Sequence, residues 1–299
     1  MVINPNIEIL PYTLQNEIKY FELIAEEVTQ EILPGLFIKA WGYNGTTPGP
    51  CIQVFQGDYV YMRVHNHLPE STGIHWHGLN ISNNMGGLSN IQPSPEIKPG
   101  HYFDYHFRIK NPPGTHMYHS HVNSSKQLMM GLMGSFIILD KNSTIHSDYC
   151  YMLQEFKVEE MPHGEIKRGV FNLDPYNKNC NFYSMNGKCF PFDTPIRITL
   201  NESVKIRLVN ASQNTYPMHL HGHQFIVAAS DGNPISTTNR IKKNTISIAP
   251  GETYDITFKA GKPGIWPLHS HIPHHISNNG TKALGGMTTT IHINPLPHP

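Results

Sequence analysis

The sequence carries no net charge and has no long apolar run. Lys plus Arg number 22 and Asp plus Glu number 22 among 299 residues, so no global electrostatic field draws the chain to nucleic acid or to an anionic membrane. No stretch of 18 apolar residues occurs, which argues against a membrane-spanning helix. The first residues also lack the basic segment and apolar core of a secretory signal. We therefore expect a cytoplasmic protein, or a secreted one whose leader has been removed.

Cysteine is also scarce, with only Cys51, Cys150, Cys180 and Cys189. None of them forms a C-x-x-C motif, so the sequence shows no thiolate metal site of the common kinds. Cys180 and Cys189 flank a turn-like stretch and could form a disulfide. The interpretation we favour is four free thiols in a reducing compartment.

Helical periodicity is rare, and short alternating runs separated by glycine and proline take its place. Residues 57–66 and 201–210 both alternate polar and apolar side chains, which is typical of half-buried strands. Residues 97–100 match residues 248–251 in the same way, and the offset between matching features stays near 144 to 151 residues. This repeat predicts an all-β chain with two copies of one β-sandwich.

The repeat also sets the expected domain organisation. We predict a first domain over residues 1–140, a polar linker over residues 141–148 and a second domain over residues 149–299. Residues 163–181 are weakly patterned, and we expect them to form an ordered loop that wraps the second sandwich.

Histidine, in contrast, is abundant, with 20 residues against 22 lysines and arginines. Eight of them form four His-x-His pairs, two in each half of the chain: His75 and His77, His119 and His121, His219 and His221, and His269 and His271. Residues i and i+2 of a strand point to the same face, so each pair offers two imidazoles to one side. Eight imidazoles with no carboxylate or cysteine beside them exceed what one zinc ion needs. They indicate a cluster of metal ions, with copper as the first candidate.

The segments that carry these pairs resemble, in order, the four copper motifs of the multicopper oxidases. They are residues 71–78, 114–121, 216–225 and 266–275, the last continuing to residues 285–287. The resemblance covers nearly the whole chain, and two domains instead of three indicate the two-domain, laccase-like subgroup. It implies two cupredoxin-like Greek-key β-sandwich domains and an oxidoreductase.

The same resemblance assigns the eight histidines to a trinuclear copper centre that reduces dioxygen, with about three copper ions per chain. His75 and His219 would bind the type 2 copper. The coupled type 3 pair would be held by the other six, which are His77, His119, His121, His221, His269 and His271. In the two-domain relatives this centre forms where the first domain of one subunit meets the second domain of the next. The resemblance therefore implies a homotrimer.

The family's blue copper site is the main departure. That site needs two histidines, a cysteine thiolate and usually an axial methionine. Ser270 stands at the cysteine position and Tyr216 at the first histidine position, whereas His275 and Met287 remain in the other two places. A serine hydroxyl cannot replace a soft thiolate as a ligand, so we expect no blue copper centre.

A second departure concerns protons. The family commonly has a Met-Asp-Gly sequence just after the first motif, and its carboxylate helps to protonate oxygen intermediates. Here the sequence reads Met85, Gly86 and Gly87, which weakens the expectation of efficient four-electron reduction of oxygen.

Two functions of different kinds follow from these residues. The first is a copper oxidoreductase that acts with O₂ on small phenols, catechols or nitrogen compounds, with or without an electron-donor protein. The second is a non-catalytic copper-binding protein for copper homeostasis. A copper nitrite reductase is disfavoured because its catalytic copper uses only three histidines. A zinc hydrolase is disfavoured because no H-E-x-x-H motif occurs.

Overall fold

Strands dominate the computed structural model, which describes residues 1–296. Strands hold 49% of the residues and helices 6%, so the all-β prediction is confirmed. Within this range the α-helical part is limited to α1 (Ser124–Met130), and short 3-10 helices occupy Asn83–Met85, Thr237–Asn239 and Pro273–Ile276. Among the described helices, none has the length and apolar character that a membrane crossing requires.

The first half of the chain forms two sheets that enclose one core. Its strands are β1 (Thr13–Gln15), β2 (Ile18–Leu33), β3 (Leu36–Tyr43), β4 (Gly49–Phe55), β5 (Tyr59–Asn66), β6 (Ile74–His77), β7 (Tyr102–Arg108), β8 (Gly114–Ser120) and β9 (Met133–Leu139). One sheet contains β3, β2, β5 and β7 side by side, with β1 against β2, and the other has the order β4-β9-β8-β6. Buried residues such as Phe21, Trp76 and Phe136 come from both sheets and join in one apolar cluster.

The second half repeats this arrangement. Its strands are β10 (Ser147–Phe156), β11 (Gly169–Phe171), β12 (Phe182–Met185), β13 (Ile196–Thr199), β14 (Ser203–Asn210), β15 (Tyr216–Leu220), β16 (Phe225–Ser230), β17 (Asn233–Pro234), β18 (Lys242–Lys243), β19 (Thr245–Ile248), β20 (Thr253–Lys259), β21 (Gly264–Ser270) and β22 (Thr288–Asn294). One sheet has the order β12-β10-β14-β20-β16-β17, with β18 against β16, and the other has the order β13-β22-β21-β15-β19. Strand β10 begins within the predicted linker.

One short strand departs from the expected organisation. Residues 163–181 are expected from the sequence to form a loop that wraps the second sandwich. They also contain strand β11, which pairs in parallel with β3 of the first half. The Gly169 amide donates to the Gly35 carbonyl oxygen at 2.8 Å, and Phe171 packs against the apolar cluster that contains Leu36 and Ile38. Strand β3 would otherwise leave this edge unpaired, which is costly for a sheet.

A buried ionic network joins the facing sheets of the two halves. The Arg207 guanidinium on β14 donates to both carboxylate oxygens of Asp148, at 2.7 and 2.8 Å, and to Asp255 at 3.1 Å. It also donates to Thr115 Oγ1 on β8 at 2.8 Å, and Thr115 donates to Asp255. Because a buried charge is costly unless it is paired, this network fixes β8 relative to the second half.

The first ten residues form a strap between the halves. Ile3 makes a parallel bridge to Tyr149 of β10, and Ile9 makes one to Cys51 of β4. The Gln53 side chain donates to the Val2 carbonyl oxygen at 2.7 Å and accepts from the Val2 amide at 3.1 Å. The N-terminal strap, residues 1–10, therefore pairs with β4, an edge strand of the first half, and with the part of β10 that β12 leaves unpaired.

Candidate metal centre

Strands β6 and β8 bring the first four histidines together. In the antiparallel register His75 lies opposite His119, and the His75 ring centroid lies 5.5, 5.4 and 5.4 Å from those of His77, His119 and His121. One ring nitrogen each from His75, His77 and His119 lies within 4.8 Å of the others. These four residues, the first quartet, present a nitrogen set that could hold a metal ion.

Strands β15 and β21 build a second quartet, His219, His221, His269 and His271, in the same way. His219 lies opposite His269, and ring centroids within the group are 4.9 to 5.9 Å apart. The Nε2 atoms of His221 and His269 lie 2.8 Å apart. At this separation one ring donates a hydrogen bond to the other, which holds two potential ligand atoms close together.

Backbone carbonyl groups hold several of these rings in one tautomer. The Nδ1 atoms of His75, His119, His219 and His269 lie 2.7 to 2.9 Å from the carbonyl oxygens of Gly86, Ser120, Asn244 and Ser270. A carbonyl oxygen only accepts, so Nδ1 must donate and the lone pair is left on Nε2. Metal-binding histidines are oriented by hydrogen bonds of this kind.

Burial disfavours the charged form of five of the eight imidazole rings. It lowers the pKa of His75 and His77, and it lowers the pKa of His119 to about 3. The pKa values of His221 and His269 are also lowered, first by burial and then by neighbouring histidines. Neutral imidazole is the form that binds copper and zinc, so the donor set fits the copper that the sequence predicts.

The two quartets do not contact each other within one chain. In the described part of the chain, every close histidine ring contact of a quartet member lies inside its own quartet. The second half approaches the first quartet through a different segment, because a Cβ added to Gly251 would lie 3.4 Å from His77 Cε1. The fold thus places four of the predicted ligands at each of two sites.

The turn after the first motif has a role that the sequence did not reveal. Gly86 supplies the carbonyl oxygen that accepts from His75 Nδ1 at 2.8 Å. Gly87 has φ of +83°, and a Cβ there would lie 2.0 Å from the Ile74 carbonyl oxygen. The two glycines at the place where the family commonly has Asp-Gly therefore bring the turn against β6. The pair Gly86-Gly87 is the sequence feature that could have indicated this close turn.

The four positions of the family's blue copper site come together beneath the second quartet. The Ser270 hydroxyl lies 3.0 Å from His275 Nδ1, and the Met287 amide donates to the His275 carbonyl oxygen at 2.8 Å. The Tyr216 ring centroid lies 5.3 Å from that of His275, and all four side chains are buried. The space is filled by a hydroxyl, a phenol, an imidazole and a thioether.

A polar cavity opens beside this group, which the sequence also did not reveal. It has a volume of about 490 Å³ and is lined by residues that include Lys157, His163, Tyr183, His274 and His275. The Tyr183 ring stacks on His275 with centroids 4.3 Å apart. A small molecule in this cavity would contact Tyr183 and His275, and His275 in turn contacts Ser270.

Comparisons with known proteins find similarity along most of the chain. Multicopper oxidase family profiles match residues 25–143 and 158–281. The relative "Multicopper oxidase mco" of Staphylococcus aureus is 30% identical over 255 residues, which cover 83% of this chain and 54% of that protein. The chain thus spans about half the length of the curated relatives it matches.

Two solved structures extend the comparison to the fold. The structure of the multicopper oxidase mgLAC is 28% identical with a TM-score of 0.80, and the match covers 94% of this chain and 87% of that one. The blue copper oxidase from Nitrosomonas europaea is 30% identical with a TM-score of 0.77, and the match covers 92% of this chain and 85% of that one. Both likenesses extend over the two halves described above.

Proposed function

The chain belongs to the multicopper oxidase family, and from this premise we propose that it is a copper oxidoreductase whose two histidine quartets together hold a trinuclear centre. Family members use dioxygen and a reducing substrate, and bound copper would supply the redox chemistry. The observation that supports the proposal is the donor set: imidazoles converge in each quartet, and hydrogen bonds to carbonyl groups leave the lone pairs of His75, His119, His219 and His269 on Nε2.

The separation of the quartets supports a shared centre between subunits. Each chain offers four ligands at each of two places, so an eight-histidine centre needs the first quartet of one subunit to meet the second quartet of another. Contacts of this head-to-tail kind close into rings. We propose a homotrimer with three centres, divided in each chain into domains at residues 1–140 and 149–299. Sedimentation that shows a fully copper-loaded monomer would contradict it.

The residues at the blue-site positions support a copper centre that lacks the cysteine thiolate through which electrons would enter. The Ser270 hydroxyl lies within hydrogen-bond distance of His275, and Tyr216 fills the place of a second imidazole. A bulky dye therefore has no thiolate through which it could pass electrons to the copper ions. We propose small phenols or other small reductants as substrates. The missing thiolate also favours the second candidate, a non-catalytic copper-binding protein.

Metal content, spectra and oxygen uptake test these proposals together. We expect about three copper ions per chain at the histidine centre and no intense blue absorption band, with oxygen consumption in the presence of small phenols. An intense blue band, or zinc as the only retained metal, would contradict the copper assignment. Full copper loading without oxygen consumption would establish the copper-binding alternative instead.

A further inference from the structure

A layer rich in sulfur lies between the two halves. The apolar cluster there contains nine buried residues. Five of them carry sulfur, namely Cys51, Met117, Met133, Cys150 and Met152. All five are at most 2% exposed. We call these five side chains the sulfur layer.

The register of the strands places this layer next to the first quartet. Met117 precedes His119 by two residues on β8 and therefore points to the same face. Met133 of β9 lies opposite His119 in the antiparallel ladder. Cys150 and Met152 approach from β10 of the second half, and the N-terminal strap holds the backbone of both Cys150 and Cys51. Sulfur-containing side chains from both halves thus share one buried cluster beside a predicted metal ligand.

We propose that the sulfur layer binds one Cu(I) ion, with the Cys51 and Cys150 thiolates as main ligands and methionine thioethers as additional weak ligands. Thiolates and thioethers are soft ligands that select Cu(I), whereas imidazoles suit Cu(II) and zinc. On binding, two sulfur–copper bonds form, two S–H bonds break and two protons leave to solvent. No electron is transferred, because copper enters in its reduced form.

The positive charge of Arg207 near the layer suits the net negative charge of a Cu(I) ion bound by two thiolates. Burial raises the pKa of Cys51 to about 11 and the pKa of Cys150 well above its usual value, and the Arg207 guanidinium opposes this rise for both thiols. Without metal the thiols therefore stay protonated and neutral. With Cu(I), one net negative charge would lie close to a buried cation that already anchors the interface.

Anaerobic titration of the full chain with Cu(I) against a competing chelator, followed by X-ray absorption at the copper edge, tests the site. We expect a sulfur shell around part of the bound copper. The double variant Cys51→Ser, Cys150→Ser should lose that shell and one equivalent of Cu(I). The matched control, Cys180→Ser with Cys189→Ser, replaces the other two buried thiols and should retain both.

Two results would overturn the proposal. One is wild-type protein whose copper shows only nitrogen or oxygen neighbours, a measurement that needs no variant and therefore survives misfolding of the cysteine variants. The other is loss of the sulfur shell in the Cys180, Cys189 control. The site does not depend on the histidine centre: a protein that consumes no oxygen would still show the sulfur shell, and failure of the sulfur site would leave the three-copper prediction standing.

Discussion

Replacing Gly87 with alanine tests whether the turn after the first histidine motif positions His75. A Cβ at Gly87 would lie 2.0 Å from the Ile74 carbonyl oxygen and 2.8 Å from the His75 backbone nitrogen. Both are main-chain atoms of β6 that cannot rotate away, so the strand or the turn has to move. Any such movement separates the Gly86 carbonyl oxygen from His75 Nδ1.

The chain contains a matched control for the expected loss in the free energy of unfolding. Gly45 has φ of +81°, close to the +83° of Gly87, but nothing lies within 4 Å of an added Cβ. Gly45→Ala should therefore cost only the left-handed backbone conformation, about 1–2 kcal/mol. Gly87→Ala adds overpacking, typically about 1–3 kcal/mol, for a total loss of about 2–5 kcal/mol. Loss of the hydrogen bond that orients His75 should also lower copper affinity by about 10–100-fold.

Urea denaturation of the metal-free protein, followed by tryptophan fluorescence, measures the first effect, and copper titration measures the second. Gly45→Ala should bind copper as the wild type does. If Gly87→Ala loses no more free energy of unfolding than Gly45→Ala, the close approach to β6 is unimportant. If Gly87→Ala is less stable but binds copper normally, the turn does not position His75.

Three further predictions concern the two halves of the site. Ser270→Cys alone should give no full-intensity blue band in the copper-loaded protein. The double change Ser270→Cys with Tyr216→His should give one. A blue centre from the single change would mean that Tyr216 is wrongly assigned to the first histidine position. His121→Ala should abolish oxygen consumption while circular dichroism stays unchanged, and surviving activity would place the chemistry elsewhere. Burial lowers the pKa of His275 from 6.5 to about 4 in the folded protein. Between these two pH values the unfolded state therefore binds one more proton than the folded state. Stability of the metal-free protein should fall as pH decreases through this window, and His275→Gln should flatten that fall in denaturation midpoints.

The sequence predicted the strands whose two faces differ. Residues 57–66 and 201–210 alternate polar and apolar side chains because one face meets the core, and β5 and β14 occupy them. The short strand β11 left no such signal, because three residues show no periodicity and the partner strand β3 lies far away in the sequence. Its pairing depends on which sheet edge remains open after the rest has folded.

The candidate site shows a similar division. The histidine spacing predicted that the histidines gather into groups, because strand geometry alone puts residues i and i+2 on one face. The groups that orient the rings were not predictable, since Gly86 and Asn244 act through backbone carbonyl oxygens, which every residue type possesses. The sulfur layer was equally hidden, because Cys51 and Cys150 come from strands of different halves.

The N-terminal strap has a consequence for the order of events during synthesis. Ile3 is synthesised before the first sandwich, whereas its partner Tyr149 is synthesised only after that sandwich. The strap therefore has no complete docking site while the first sandwich folds, and the adjoining edge of β4 stays open to pairing with other chains. Chaperones that shield nascent strands would act in this interval, and closure of the strap would mark its end.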